Sequence, residues 1–272
     1  MLVIALAPAA CGKIAFDPLT DSSIDSSPQP LVHLEMEDPT STTTFRDSSG
    51  HNHDASCTGT RCPQIVPGIR GTAAHFDGID DVASIPHAPD LDIPTITIAA
   101  WTKLDAQPTD YAQIVSRQFG TSASDAWILG YLDPGVPGGA GAPYQVGVHT
   151  ATETGTACVG SPSTPDVGVW VHVAATYDGA TEHLYRNGIE MASRPQLGPI
   201  VSDAHAILIA AANNDATGAT DEHLTGYRRH RDLRDGAIPR SDRDARSPAL
   251  TAAKAYRLHR LRVVATRKRR PS

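Results

Sequence analysis

A chain of 272 residues with 40% hydrophobic content, 22 Gly and 21 Pro suits one large turn-rich β domain with tails, and no internal duplication argues for two. Its aromatic share of 5% is low for a protein built mainly to stack sugars or bases, and no stretch approaches the ~20 apolar residues of a membrane helix. The net charge of -7 hides an asymmetry, since residues 1–225 carry 8 Lys+Arg against 26 Asp+Glu and residues 226–272 carry 15 against 4.

Residues 1–10 form an apolar run that ends at Cys11. That is the apolar part of an export signal without its basic start. Ala9-Ala10-Cys11 resembles the end of a bacterial lipobox, whose Cys carries the lipid, although Pro8 stands where that motif usually has Leu. The expectation is a lipidated Cys11, a start codon further upstream, and a lipoprotein of the outer membrane or cell surface, or a secreted protein. Residues 12–30 are rich in Ser, Asp and Pro and read as a disordered tether.

The first strand is expected at residues 31–36. The polar loop at 47–54 contains His51 and His53; two imidazoles without a third partner read as a solvated turn rather than a metal site. Cys57 and Cys62 are close enough in sequence for a short-loop disulfide in an exported protein, and no second pair has zinc-site spacing. Cys158 is then left unpaired. A turn at 67–71 precedes a strand at His75-Phe76. Asp77, Asp80 and Asp81 follow as hard oxygen donors suited to calcium at a strand end, without the D-x-D-x-D-G loop pattern; turn formation alone also accounts for them.

Residues 95–104 alternate as a strand, with Trp101 read as a core anchor. Further strands are expected at 111–117, 126–132 and 144–149, separated by a Gly- and Pro-rich loop at 135–141. Val169, Val171, Val173 and Ala175 alternate with Trp170, His172 and Ala174, and Tyr177-Asp178-Gly179 turns the chain into a second strand at 183–186. Asn187-Gly188 then predicts a type I′ hairpin turn into a third strand. Residues 205–211 form a last apolar strand before a loop at 213–215.

Four ordered motifs resemble laminin-G-like, concanavalin A-like jelly-roll domains: Asp47-Ser48-Ser49-Gly50-His51; His75 to Val82 with Ile85-Pro86; Thr97 to Trp101; and Trp170 to Gly179 with Leu184-Tyr185 and Asn187-Gly188. They span residues 31–225. The resemblance implies an all-β, two-sheet antiparallel jelly-roll sandwich, with calcium at its rim strengthening the case for Asp77, Asp80 and Asp81. It also implies that Trp127, Tyr131 and Tyr144 lie on the concave sheet, where aromatic faces stack on sugar rings. Glucanases of this fold use a Glu-x-Asp-x-x-Glu strand, which is absent, and no serine-hydrolase or zinc-protease motif replaces it. The expected function is a monomeric, non-catalytic surface module that binds a glycan or a cell-surface protein, with no nucleic-acid partner and membrane contact only through the lipid.

The family's closing strand does not follow Gly226. Residues 227–235 are mostly charged and lose all alternation. Codons exist for Arg228 to Ile238 that, read one base later, spell Val-Asp-Ile-Ala-Ile-Tyr-Ala-Thr-Ala-Leu-Ser, which resembles the missing strand. A shift of reading frame near Gly226 is therefore expected, making a structural or non-functional product the alternative function. As written, the sandwich is expected to lose a strand and leave an open edge. Within the tail, residues 249–268 are compatible with a basic amphipathic helix carrying Leu258, Leu261, Val264 and Ala265 on one side.

Overall fold

The computed structural model describes residues 30–36, 43–108, 111–120, 125–132, 144–152, 157–161, 164–212, 222–223 and 256–265. Cys11, the tether at 12–29, the loops at 135–141 and 213–215 and the tail at 226–255 lie outside them. Among the described residues the architecture is two antiparallel sheets face to face, as expected.

The first sheet runs in the order β14 (Ile189–Pro195), β13 (Thr181–Arg186), β12 (Val171–Tyr177), β7 (Ile96–Leu104), β18 (Tyr256–Ala265), β5 (Thr72–Phe76) and β4 (Gln64–Pro67), with β1 (Val32–Leu34) also paired to β18. The second runs β11 (Ala157–Ser161), β10 (Tyr144–Val148), β9 (Asp125–Leu132), β8 (Tyr111–Gln118), β15 (Ile207–Ile209), β6 (Ala83–Ile85), β3 (Ala55–Ser56) and β2 (Thr44–Phe45). A small ribbon pairs β16 (Ala211–Ala212) with β17 (Glu222–His223).

Alternation sets the core. Val171, Val173, Ala175 and Tyr177 of β12 face Trp127, Leu129 and Tyr131 of β9 and Tyr144, Val146 and Val148 of β10 within one buried cluster. The β13–β14 turn has Asn187 at φ 49° and Gly188 at φ 79°, the two left-handed residues a type I′ turn requires. Trp101 departs from the expectation. Ile98, Ala100 and Leu104 take the inward positions of β7, so Trp101 falls on the outer side, half-buried against the His172 ring at 5.3 Å.

The tail departs further, because the sandwich does not end at residue 225. Strand β18 lies inside the first sheet, with β7 along one side and β5 and β1 sharing the other. Neither the open edge nor the amphipathic helix describes this segment. Leu258 pairs opposite Thr102 and Arg260 opposite Trp101, so His259 is an extra residue at a bulge. The bulge turns a helix-like spacing of three into a strand pattern: Leu258, Leu261 and Val263 are buried while Arg260 and Arg262 point outward. In plain sequence the two periods cannot be told apart over so few apolar residues.

On that outer side Arg262 Nε donates to His33 Nε2 at 3.1 Å. Burial, then Arg262 and Arg260, hold the His33 imidazole down at about 4, and burial followed by Arg262 does the same to His172. Both rings stay neutral in the fold but take up protons near 6.5 once unfolded. Their contribution is therefore complete above pH 6.5 and is lost as pH falls toward 4. At about 1.4 kcal/mol per unit, halved for partial exposure, the two amount to roughly 3 kcal/mol. Urea midpoints at pH 7 and pH 4.5 should show this loss, and His172→Asn should reduce it; an identical pH profile for that variant would refute the assignment.

Candidate functional site

The three aromatics expected to meet sugar are core residues. Trp127 and Tyr131 are 1% exposed and Tyr144 is fully buried. They occupy inward positions of β9 and β10, where Tyr131 and Tyr144 pack at 5.1 Å and the Tyr131 hydroxyl lies 2.6 Å from Thr102 Oγ1. Burial raises the pKa of both phenols, and the Arg186 guanidinium sits 5.8 Å from the Tyr144 ring centre. The strand period assigns each side chain to one face; which face is inward depends on the second sheet. These residues hold the sheets together and offer no surface for stacking.

The acidic candidates do converge. One carboxylate oxygen from each of Asp77, Asp80 and Asp81 lies within 4.8 Å of the other two. The turn is held by Asp77 Oδ1, which accepts from the Ile79 amide at 2.8 Å, and by Asp81 Oδ2, which accepts from the Asp77 amide at 2.8 Å. Burial, followed by the charges of Asp77 and Asp80, pushes the Asp81 carboxyl up to about 6, against the amide bond that lowers it. The donor set is entirely hard oxygen and repels itself, which fits a calcium ion. Beside it, Cys57 and Cys62 are joined as expected, with a Cα–Cα distance of 5.2 Å. Within that loop the Arg61 carbonyl accepts from the Val82 amide and Arg61 Nε donates to the Asp80 carbonyl.

A further arrangement lies on the outer side of the second sheet, and no motif announces it. Gln113 of β8, Gly130 of β9, Gln145 of β10 and Gly160 of β11 stand in one cross-strand row. Gly147 on β10 adds another position without a side chain, opposite Ile128. A Cβ on Gly130 would strike Gln113 Oε1 and the Ala112 carbonyl, so glycine lets the amide lie across the strand. Gln145 is buried and its Nε2 finds no partner among the described residues. Isolated Gln and Gly residues at separate sequence positions carry no signal until the strand register aligns them.

The sequence profile described as the concanavalin A-like lectin/glucanases superfamily matches residues 77–227, more than half of the chain. The chain belongs to that superfamily. No curated protein matches this superfamily member. Among solved structures it resembles domain 4 of AbnA, a GH43 extracellular arabinanase from Geobacillus stearothermophilus in complex with arabinotriose, at TM-score 0.57 and 14% identity, covering 88% of this chain and 93% of that one. It also resembles the botulinum neurotoxin serotype D binding domain at TM-score 0.53 and 12% identity, covering 87% of this chain and 48% of that one. Trypanosoma rangeli sialidase follows at TM-score 0.50 and 12% identity, covering 87% of this chain and 30% of the enzyme. The superfamily member thus spans under half of the neurotoxin fragment and under a third of the sialidase; at such identities these likenesses concern fold.

Proposed function

We propose that this chain is a non-catalytic carbohydrate-binding module that takes its sugar on the outer side of the second sheet, over the buried Gln113–Gly130–Gln145 row. The row carries the reading: side-chain amides donate to and accept from sugar hydroxyls, and Gly160 and Gly147 beside Gln145 add no side chain on this face. The unpartnered Gln145 Nε2 supplies a donor whose burial has a cost unless a ligand or water meets it. The neighbours lend support through their own ligands, arabinotriose for the arabinanase domain and two ganglioside molecules for botulinum neurotoxin type C.

A binding role is favoured over hydrolysis by where three of the glutamates sit. Glu182 is fully buried and accepts from the Val148 amide, Glu190 pairs with His183, and Glu35 lies beside His33 and Arg260. In this reading the module is exported and tethered through Cys11, a setting in which the Cys57–Cys62 disulfide persists. Calcium at Asp77, Asp80 and Asp81 would brace the turn before β6, with the three carboxylates as its protein ligands.

The test is titration of the full chain with arabino-oligosaccharides and sialylated glycans, with and without calcium. Saturable binding is expected, and Gln145→Ala should weaken it by about tenfold, the scale of one good hydrogen bond. Asp80→Asn should remove any calcium dependence. Absence of saturable binding across a broad glycan array would overturn the proposal.

A further inference from the structure

His51, His53 and Asp90 meet at one end of β6, although 37 residues separate His53 from Asp90. Topology brings them together. Strand β3 runs antiparallel to β6 with Ser56 opposite Ser84, so the loop entering β3 lies beside the chain leaving β6. His53 Nε2 is 2.9 Å from Asp90 Oδ2 and His51 Nδ1 is 3.6 Å from the same oxygen. The two rings are parallel within 7° with centroids 6.1 Å apart.

Both halves of this cluster are held from behind. The Asp47 carboxylate accepts from the amides of His33, Ser49 and His53 and from Ser49 Oγ at 2.6–2.9 Å, which shapes the loop that carries both imidazoles. Asn52 between them is left-handed at φ 63°, a conformation Asn tolerates. On the other side Arg117 donates to the Leu91 carbonyl at 2.7 Å and to Asp92 Oδ1 at 2.5 Å, fixing the residues next to Asp90.

We propose that His51, His53 and Asp90 form a three-ligand site for one divalent transition-metal ion of the zinc class, which clips the 47–54 loop to the turn Pro89–Leu91. Two imidazole nitrogens, which are borderline donors, beside one carboxylate oxygen select zinc, cobalt or nickel over calcium. A tetrahedral ion with bonds near 2.0–2.1 Å spaces its ligand atoms about 3.3 Å apart. The 2.9 and 3.6 Å separations lie on either side of that value. An ion pair between His53 and Asp90 explains the shorter contact but gives no reason for a second, parallel imidazole to approach the same oxygen. His51 and Asp90 side chains are 40% and 46% exposed against 9% for His53, so an ion has a way in and a fourth position open to water. This donor set is separate from the all-carboxylate cluster before β6, and the proposal stands independently of sugar binding.

The experiment uses the full chain, prepared without a polyhistidine tag and stripped by chelator. Cobalt is titrated by visible absorption and zinc by competition with a chromogenic chelator, for wild type, His51→Ala and Asp90→Asn, with calcium as the control ion. One equivalent should bind with a four-coordinate cobalt spectrum, and each variant should weaken binding roughly tenfold or more. Zinc should raise the urea midpoint of wild type and not of the variants, whose metal-free midpoints stay near wild type because both side chains are exposed. Failure to saturate at one equivalent, or unchanged affinity in both variants, would assign the metal to other members of the chain's 12 His and overturn the site. Equal displacement of zinc by calcium would overturn the ligand class.

Discussion

Removing residues 256–272 should abolish cooperative folding of the sandwich. Strand β18 supplies the fully buried Leu258 and Leu261 and the nearly buried Val263, and its backbone pairs with β7, β5 and β1. Each buried side chain is worth about 1.5–3 kcal/mol. Loss of the strand also opens the ladder edges of β7 and β5 and strands β1, which pairs with nothing else among the named strands. Against a total stability of about 5–15 kcal/mol, the sum is comparable to the whole. The milder Leu261→Ala change should cost roughly 2–5 kcal/mol and retain the fold. Urea denaturation followed by circular dichroism reads both. A chain of residues 1–255 with an undiminished midpoint would show that β18 does not close this sheet, and would return weight to the expected change of reading frame after Gly226.

Replacing Arg117 with Met should cost about 3–5 kcal/mol, since each buried carbonyl left without its donor costs about 1–3 kcal/mol. Its guanidinium is 1% exposed and donates to the carbonyls of Leu91, Asp203 and His205 and to Asp92 Oδ1. Without it, three buried or partly buried carbonyls lose donors while the Met side chain fills only the apolar part of the space. Arg117→Lys should recover less than half of the loss, because one ammonium cannot reach the positions served by a planar fork. The metal proposal adds a second readout: the Met variant should also bind cobalt more weakly, since Arg117 fixes the turn that carries Asp90. A midpoint shift worth under about 1 kcal/mol would mean that the loops at 89–92 and 203–205 hold themselves.

Much of the sandwich was legible because its signals are local. Alternation over 169–175 and the Asn187-Gly188 turn pointed to β12 to β14, although β12 starts at Val171 and keeps Tyr177 in the strand rather than the turn, and β13 begins at Thr181 rather than His183. The short strands β2, β3, β4 and β6 went unread, being two to four residues long, too short for a period to register. Strand β18 was misread because its bulge at His259 disguises alternation as a three-residue repeat.

The candidate sites divide along the same line. Asp77, Asp80 and Asp81, like Cys57 and Cys62, are neighbours in the chain, so residue type and spacing alone brought them into view. By itself the sequence determined the all-β class, the hairpins and these local clusters, since turn chemistry and strand period act over a few residues. Tertiary structure alone decided that Trp127, Tyr131 and Tyr144 face the core, that Gln113 aligns with Gln145, and that Asp90 joins His51 and His53. Those outcomes depend on strand register and on which sheet face meets its partner, and both are set by pairings between segments far apart in the chain.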